Sequence, residues 1–158
     1  MKRLLLVLLL SVPAFAGDRE ITPENVTALM NVYRAEAGLG PLRLDARLTR
    51  AATARMQEMM DGQWWGHASP DGTPPFVWIT AADYNYVAAA ENLAAGFETT
   101  GLLVQSWIES PGHRANILNG LYADCGIAVI EGRTDRRAAG TSIVVLFARR
   151  AVDMVSSK

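Results

Sequence analysis

The sequence predicts an α+β domain with a small, mostly antiparallel sheet, on three observations. The N-terminal half carries two well-punctuated helical stripes. The C-terminal end carries two β-branched runs parted by a polar, glycine-containing loop. Between them lies an extended stretch followed by more helix. Helical and strand-like segments therefore separate along the chain and do not alternate as βαβ units, which is the pattern of an α+β fold.

The first element lies ahead of that domain. Met1-Lys2-Arg3 opens a positive start, Leu4 to Leu10 is unbroken apolar chain, and Pro13 leads to Ala14-Phe15-Ala16. A short positive segment, a brief apolar run and an A-x-A ending make a secretory signal peptide over residues 1–16. The run falls short of the roughly 20 apolar residues that span a bilayer. Cleavage after Ala16 would leave one domain, residues 17–158, long enough to build a real core. No cysteine follows the apolar run, so neither a lipid anchor there nor any other membrane anchor is expected after cleavage.

Thr22-Pro23-Glu24 is a helix start: Thr caps, Pro suits the first helical position and Glu complements the dipole. Val26, Leu29, Tyr33 and Ala37 then form one apolar stripe, ended by Gly38 and Gly40-Pro41. Asp45 caps a second helix whose buried face runs Leu48, Ala52, Arg55, Met56, Met59, and Asp61-Gly62 stops it. Met56, Met59 and Met60 at this spacing read as core filler. Residues 61–75 form a loop, and a short helix after Pro74-Pro75 carries Phe76, Val77 and Ile79. Tyr84 to Val87 reads as extended and runs into Ala88–Asn92. Thr99 or Thr100 caps a helix with Leu102, Leu103, Trp107 and Ile108. Ser110-Pro111 starts another, through Asn116 to Leu118, and Asn119-Gly120 turns the chain. Gly126–Ile130 and Thr141–Phe147, separated by Glu131 to Gly140, read as an antiparallel hairpin.

Charge narrows the function classes. Without the first 16 residues, 13 basic side chains face 16 acidic ones, and no basic patch stands out. Nucleic acid is a poor candidate partner, and nothing points to an anionic membrane surface. Cys125 is the only cysteine, so no internal disulfide forms and the core must carry the fold. Within the strand-like run Cys125–Ile130 it reads as a small buried hydrophobe.

Only two histidines exist, His67 in Gly66-His67-Ala68-Ser69-Pro70-Asp71-Gly72 and His113 in Ser110-Pro111-Gly112-His113-Arg114-Ala115-Asn116. Both segments look loop-like. Imidazole is the commonest metal ligand and the natural acid or base near neutral pH. Glu91, beside Asn92, is a lone charge between the apolar segments Val87–Ala90 and Leu93–Ala95, so it is either exposed by a bend or held by a specific partner. Spacing alone does not join these three, since no H-E-x-x-H or C-x-x-C occurs. Ser69 reads better as part of a Ser-Pro-Asp-Gly turn than as a nucleophile, and Ser110 better as a helix cap. Trp64-Trp65, beside His67, reads as packing.

The stretches His67 to Gly72, Glu91-Asn92-Leu93-Ala94, and Trp107 through Ser110-Pro111-Gly112-His113-Arg114-Ala115-Asn116-Ile117-Leu118 resemble the CAP superfamily (cysteine-rich secretory proteins, antigen 5 and pathogenesis-related 1; the SCP domain), in its bacterial branch. Asn31-Val32-Tyr33-Arg34 and Gly38 through Leu42 look like the family's opening. The resemblance covers roughly residues 24 to 149. It implies an α-β-α sandwich with a central antiparallel sheet, and a cleft where two His and two acidic residues converge. It also implies that His67 and His113 can hold a divalent metal such as zinc, with Glu91 as the acid of the G-E-N motif. That motif's glycine is Ala90 here. The second acid's usual position, three after the helix Trp, is Ser110, and Glu109 is one residue off, about 100° around a helix. Ser69, Asn92 and Ser110 are the expected neighbours of the cleft.

Three readings follow. The first is a secreted binding module, periplasmic or extracellular and expected as a monomer, that holds a divalent cation, a small ligand or an envelope component. Imidazole ligands must be neutral, so metal affinity should fall below about pH 6. The second is a metal-dependent, peptidase-like hydrolase with Glu91 as candidate general base. The third is a structural network in which His67, Glu91 and His113 only pin loops.

Overall fold

A computed structural model describes residues 20–132 and 140–151. The signal peptide over residues 1–16 and most of the loop from Glu131 to Gly140 therefore lie outside the described residues.

Helix α1, Pro23–Glu36, starts where the Thr22 hydroxyl accepts the N–H of Asn25 at 3.2 Å. It gives way after Ala37 to Gly38, whose φ of 71° suits glycine. Strand β1 is only Arg43–Leu44. Helix α2, Ala46–Asp61, is capped by the Asp45 carboxylate, which accepts from the N–H groups of Arg47 and Leu48. Its C-terminus departs from the usual pattern. The left-handed residue is Gln63 (φ 53°), and Gly62 is there for space: a Cβ on it would stand 2.6 Å from Cδ1 of Trp64. Helix α3, Val77–Ala81, strand β2, Tyr86–Phe97, and helix α4, Thr100–Glu109, come next, with Thr99 as the cap of α4. Helix α5, Pro111–Ile117, and strands β3, Asp124–Glu131, and β4, Thr141–Arg150, complete the described chain.

The sheet order is β1-β3-β4-β2. The expected hairpin β3–β4 is antiparallel, with Ile127 opposite Val145, and β2 pairs with β4 antiparallel, with Glu91 opposite Leu146. β1 pairs parallel to β3 through Arg43 and Asp124, so the sheet is mixed as well as mostly antiparallel. Two residues carry no periodicity, which is why β1 left no mark in the sequence. β2 also runs past Asn92, where the sequence suggested an end, because Leu93 to Ala95 keep pairing with Val144 to Ser142.

The central strand β4 is buried on both faces. Ile143, Val145 and Phe147 pack with Val26, Met30, Val104, Trp107 and Ile117, so α1, α4 and α5 cover one face. Val144, Leu146 and Ala148 pack with Leu48, Met56, Met59 and Ile79, so α2 and α3 cover the other. This is the three-layer α-β-α sandwich. Trp64 and Trp65 pack against the second cluster as expected. The α2 layer lies very close to the sheet: a Cβ on Gly126 would stand 2.0 Å from the backbone carbon of Leu48. Cys125 is fully buried within the first cluster. Burial pushes its thiol up to about 12. Among the described residues no helix is long and apolar enough to cross a membrane.

Candidate functional site

β2 is an edge strand, and the site is built around that edge. Strand residues point alternately to the two faces. Glu91 turns toward the α2 layer, where it meets Arg55. Asn92 turns toward α5, donating from Nδ2 to the carbonyl of His113 (3.2 Å) and accepting at Oδ1 from Nδ2 of Asn116 (2.9 Å). The outward carbonyls of the edge are capped by side chains: Asn116 donates to the Glu91 carbonyl and the Trp107 indole to that of Leu93, both at 3.3 Å. An edge so covered offers fewer free groups to a foreign strand.

Two histidine-bearing segments reach this edge from opposite layers. Nδ1 of His67 lies 2.8 Å from Oε1 of Glu91. A carboxylate only accepts, so Nδ1 carries the proton and Nε2 keeps the free lone pair. His67 is otherwise open to solvent, with 59 % of its side chain exposed. His113 occupies the first turn of α5, the helix expected to start at Ser110-Pro111, and is half-buried with its ring 6.4 Å from that of Trp107. Burial, and then the nearby charge of His67, hold its pKa below the usual imidazole value. The fold thus brings His67, Glu91, His113 and Asn92 to one place.

Glu91 is the most buried of the acids expected at the site, its side chain 3 % exposed, and both its oxygens are engaged: Oε1 with His67 and Oε2 with Nε of Arg55 at 3.1 Å. It orients an imidazole, as carboxylates behind metal-binding histidines commonly do. Sequence reasoning placed Arg55 on the apolar stripe of α2 without asking why a charge sat there. A cation among Leu48, Ala52, Met56 and Met59 was the signal that a buried partner existed. Arg55 also donates to Glu58 Oε2 (2.7 Å), to Ser69 Oγ (2.8 Å) and to the carbonyls of Gly66 and His67. Glu58, three residues on, was likewise missed.

Ser69 makes the expected turn, its carbonyl accepting the N–H of Gly72 (φ 82°). Its hydroxyl is part of the Arg55 network and donates to Glu58 Oε1 at 2.7 Å. Ser110 stands at the N-cap position of α5, but its hydroxyl makes no cap bond; its carbonyl accepts from the N–H of Arg114. Glu109 accepts from Gln105 at 2.9 Å and lines a groove with Ile108, Arg114 and Leu118, apart from the His67–Glu91 pair.

A metal can be tested against this donor set. Among the described residues no three His, Cys, Asp or Glu side chains are grouped to hold an ion. Glu91 is taken up by Arg55 and His67, which leaves the two imidazoles, half of a tetrahedral zinc set. An ion held by these two imidazoles would have to draw its remaining ligands from water or from a bound partner.

The sequence model of the cysteine-rich secretory protein family, CAP, matches residues 27–147. The chain belongs to the CAP family. Among its CAP-type relatives is YkwD of Bacillus subtilis (strain 168), an uncharacterized protein, 36% identical over 108 residues that cover 68% of this chain and 42% of YkwD. YlbC of the same organism, an uncharacterized membrane protein, is 26% identical over 106 residues, 67% of this chain and 31% of its own. The chain thus spans less than half the length of either relative. Among solved structures it is similar to an extracellular SCP-domain protein of Bacillus anthracis str. Ames, with a TM-score of 0.67 and 22% identity over 84% of this chain and 45% of that one. It is also similar to an outer surface protein of Borrelia burgdorferi, with a TM-score of 0.69 and 22% identity over 84% of this chain and 98% of that one. At such identity the likeness is one of CAP fold.

Proposed function

We propose that this CAP domain is a binding module working outside the cytoplasm, and that it uses the β2-edge cleft to hold a divalent cation such as zinc, or a small envelope ligand, through His67 and His113. The observation that carries the reading is the double engagement of Glu91, which turns His67 by its Nδ1 and leaves Nε2 to a ligand. The same observation weighs against the hydrolase, because the carboxylate that would serve as general base is buried and already bonded at both oxygens. The signal-like residues 1–16, together with the extracellular and outer-surface descriptions of two fold relatives, support export.

Calorimetric zinc titration of residues 17–158, purified without a His tag, tests the reading. Binding lost in both His67→Ala and His113→Ala supports it. Protein that takes up no zinc, wild-type included, rejects the metal form and turns the search to envelope partners by pull-down. The structural reading draws on the Arg55 bonds to the carbonyls of Gly66 and His67, which pin that loop whatever the imidazole does. It expects large thermal destabilisation from each single substitution and no metal effect.

A further inference from the structure

We propose that Arg55 is the positioning residue of this site: it dictates which polar atom residue 91 turns toward His67, and so fixes the tautomer of that histidine. The proposal rests on the reading of His67 as a working group of the cleft.

A guanidinium has five N–H donors and no acceptor, and in Arg55 all five are spent. Nε donates to Glu91, one terminal nitrogen to Glu58 and Ser69, and the other to the carbonyls of Gly66 and His67. Its side chain has no exposure, and the group lies over the Trp64 ring, 4.9 Å from the centroid. A group held from so many directions cannot turn away, and whatever occupies position 91 must offer it an acceptor. Glu91 satisfies Arg55 with one oxygen and His67 with the other, so Nδ1 keeps the proton and Nε2 faces outward as a lone pair.

An amide at position 91 has one acceptor, not two. With Arg55 in place the amide oxygen must face the guanidinium, and the NH2 group then meets Nδ1 of His67. Two donors cannot share that contact, so the imidazole moves its proton to Nε2 and loses its outward lone pair. Glu91→Gln is therefore more than removal of a carboxylate. It inverts the face that His67 presents, and loss of function in it would not by itself identify Glu91 as a base.

Long-range 15N–1H NMR of the full chain, without added metal or ligand and above the imidazole titration range, reads the tautomer directly. The wild type should show His67 protonated at Nδ1, Glu91→Gln should show it at Nε2, and Arg55→Met combined with Glu91→Gln should restore Nδ1, because the amide is then free to turn its oxygen to the ring. A wild type protonated at Nε2, or a Glu91→Gln spectrum still protonated at Nδ1, overturns the proposal. So does a folded double variant that remains at Nε2. If the double variant does not fold, the isosteric Glu91→Gln decides. The measurement needs no metal, so failed zinc binding would leave its result standing, and a wrong tautomer would leave the titration standing.

Discussion

Arg55 and Glu91 meet at 3.1 Å with side chains 0 % and 3 % exposed, an ion pair from the middle of α2 to the edge strand β2 beneath the His67 loop. Removing one member of a buried pair leaves the other charge uncompensated, at a cost of about 3–5 kcal/mol. Arg55→Ala should lose that much in urea unfolding with an unchanged m-value. A loss under about 1 kcal/mol would mean the pair is solvated and the loop held by other contacts.

Arg34 serves the other histidine segment. It is 2 % exposed and donates to the carbonyls of Gly40, Ile117, Asn119 and Tyr122 at 2.8–3.0 Å, two of them just past the α5 turn that carries His113. Lysine keeps the charge but cannot fork to four acceptors. Arg34→Lys should cost on the order of 2–4 kcal/mol, since hydrogen bonds to charged groups are worth about 1.5–3 kcal/mol each. Thermal and urea unfolding would measure it, and a neutral result would mean that the segment after α5 is held by other contacts.

Gly126→Ala should destabilise by about 3 kcal/mol, the upper end of the overpacking range, because the new methyl would overlap the backbone of Leu48 and not a movable side chain. Gly40→Ala, with no atom within 4 Å of the added carbon, is the control and should change little. Equal losses in the two variants would contradict the close α2–β3 contact.

Cys125 should be silent toward a thiol reagent in the folded protein and react fully once the chain is unfolded. Burial withholds the sulfur and raises its pKa to about 12, so little thiolate forms near neutral pH. Stoichiometric labelling of native protein within minutes would show the β3 core opening.

His113 sets a pH dependence. Its folded pKa is depressed, so as pH falls through about 6.5 the unfolded chain takes up a proton first. Stability should therefore fall from that point down to the depressed folded value and flatten below it. In chelator-treated protein, His113→Gln should show a shallower slope across that window by urea unfolding at stepped pH. A slope identical to wild type would mean the ring is as solvated in the folded state as in the unfolded one.

The caps and stripes were legible because they are local. Thr22, Asp45 and Thr99 bond within their own helices, and the unbroken apolar run of β4 records burial on two faces without reference to what covers them. The two-residue strand β1 was not, since its only reason to exist is the β3 edge beside it. Gly62 does stop α2 as its sequence context indicates, but that Trp64 also keeps it small is a tertiary fact. The start of α5 at Ser110-Pro111 is local too: Pro111 at the first helical position puts His113 in the first turn despite its loop-like Gly-Pro surroundings.

By itself, the sequence determined the helices and the three longer strands in their order, the buried state of Cys125 and, through its likeness to CAP proteins, the names His67, Glu91 and His113. Tertiary structure decided what those residues can do. Glu91 meets Arg55 across 36 positions of chain and His67 across 24, and both contacts exist only because α2 packs flat on the sheet and β2 ends at its edge. Periodicity reports which side of an element is buried; which atoms meet there depends on how the layers stack, and no local pattern in the chain carries that information.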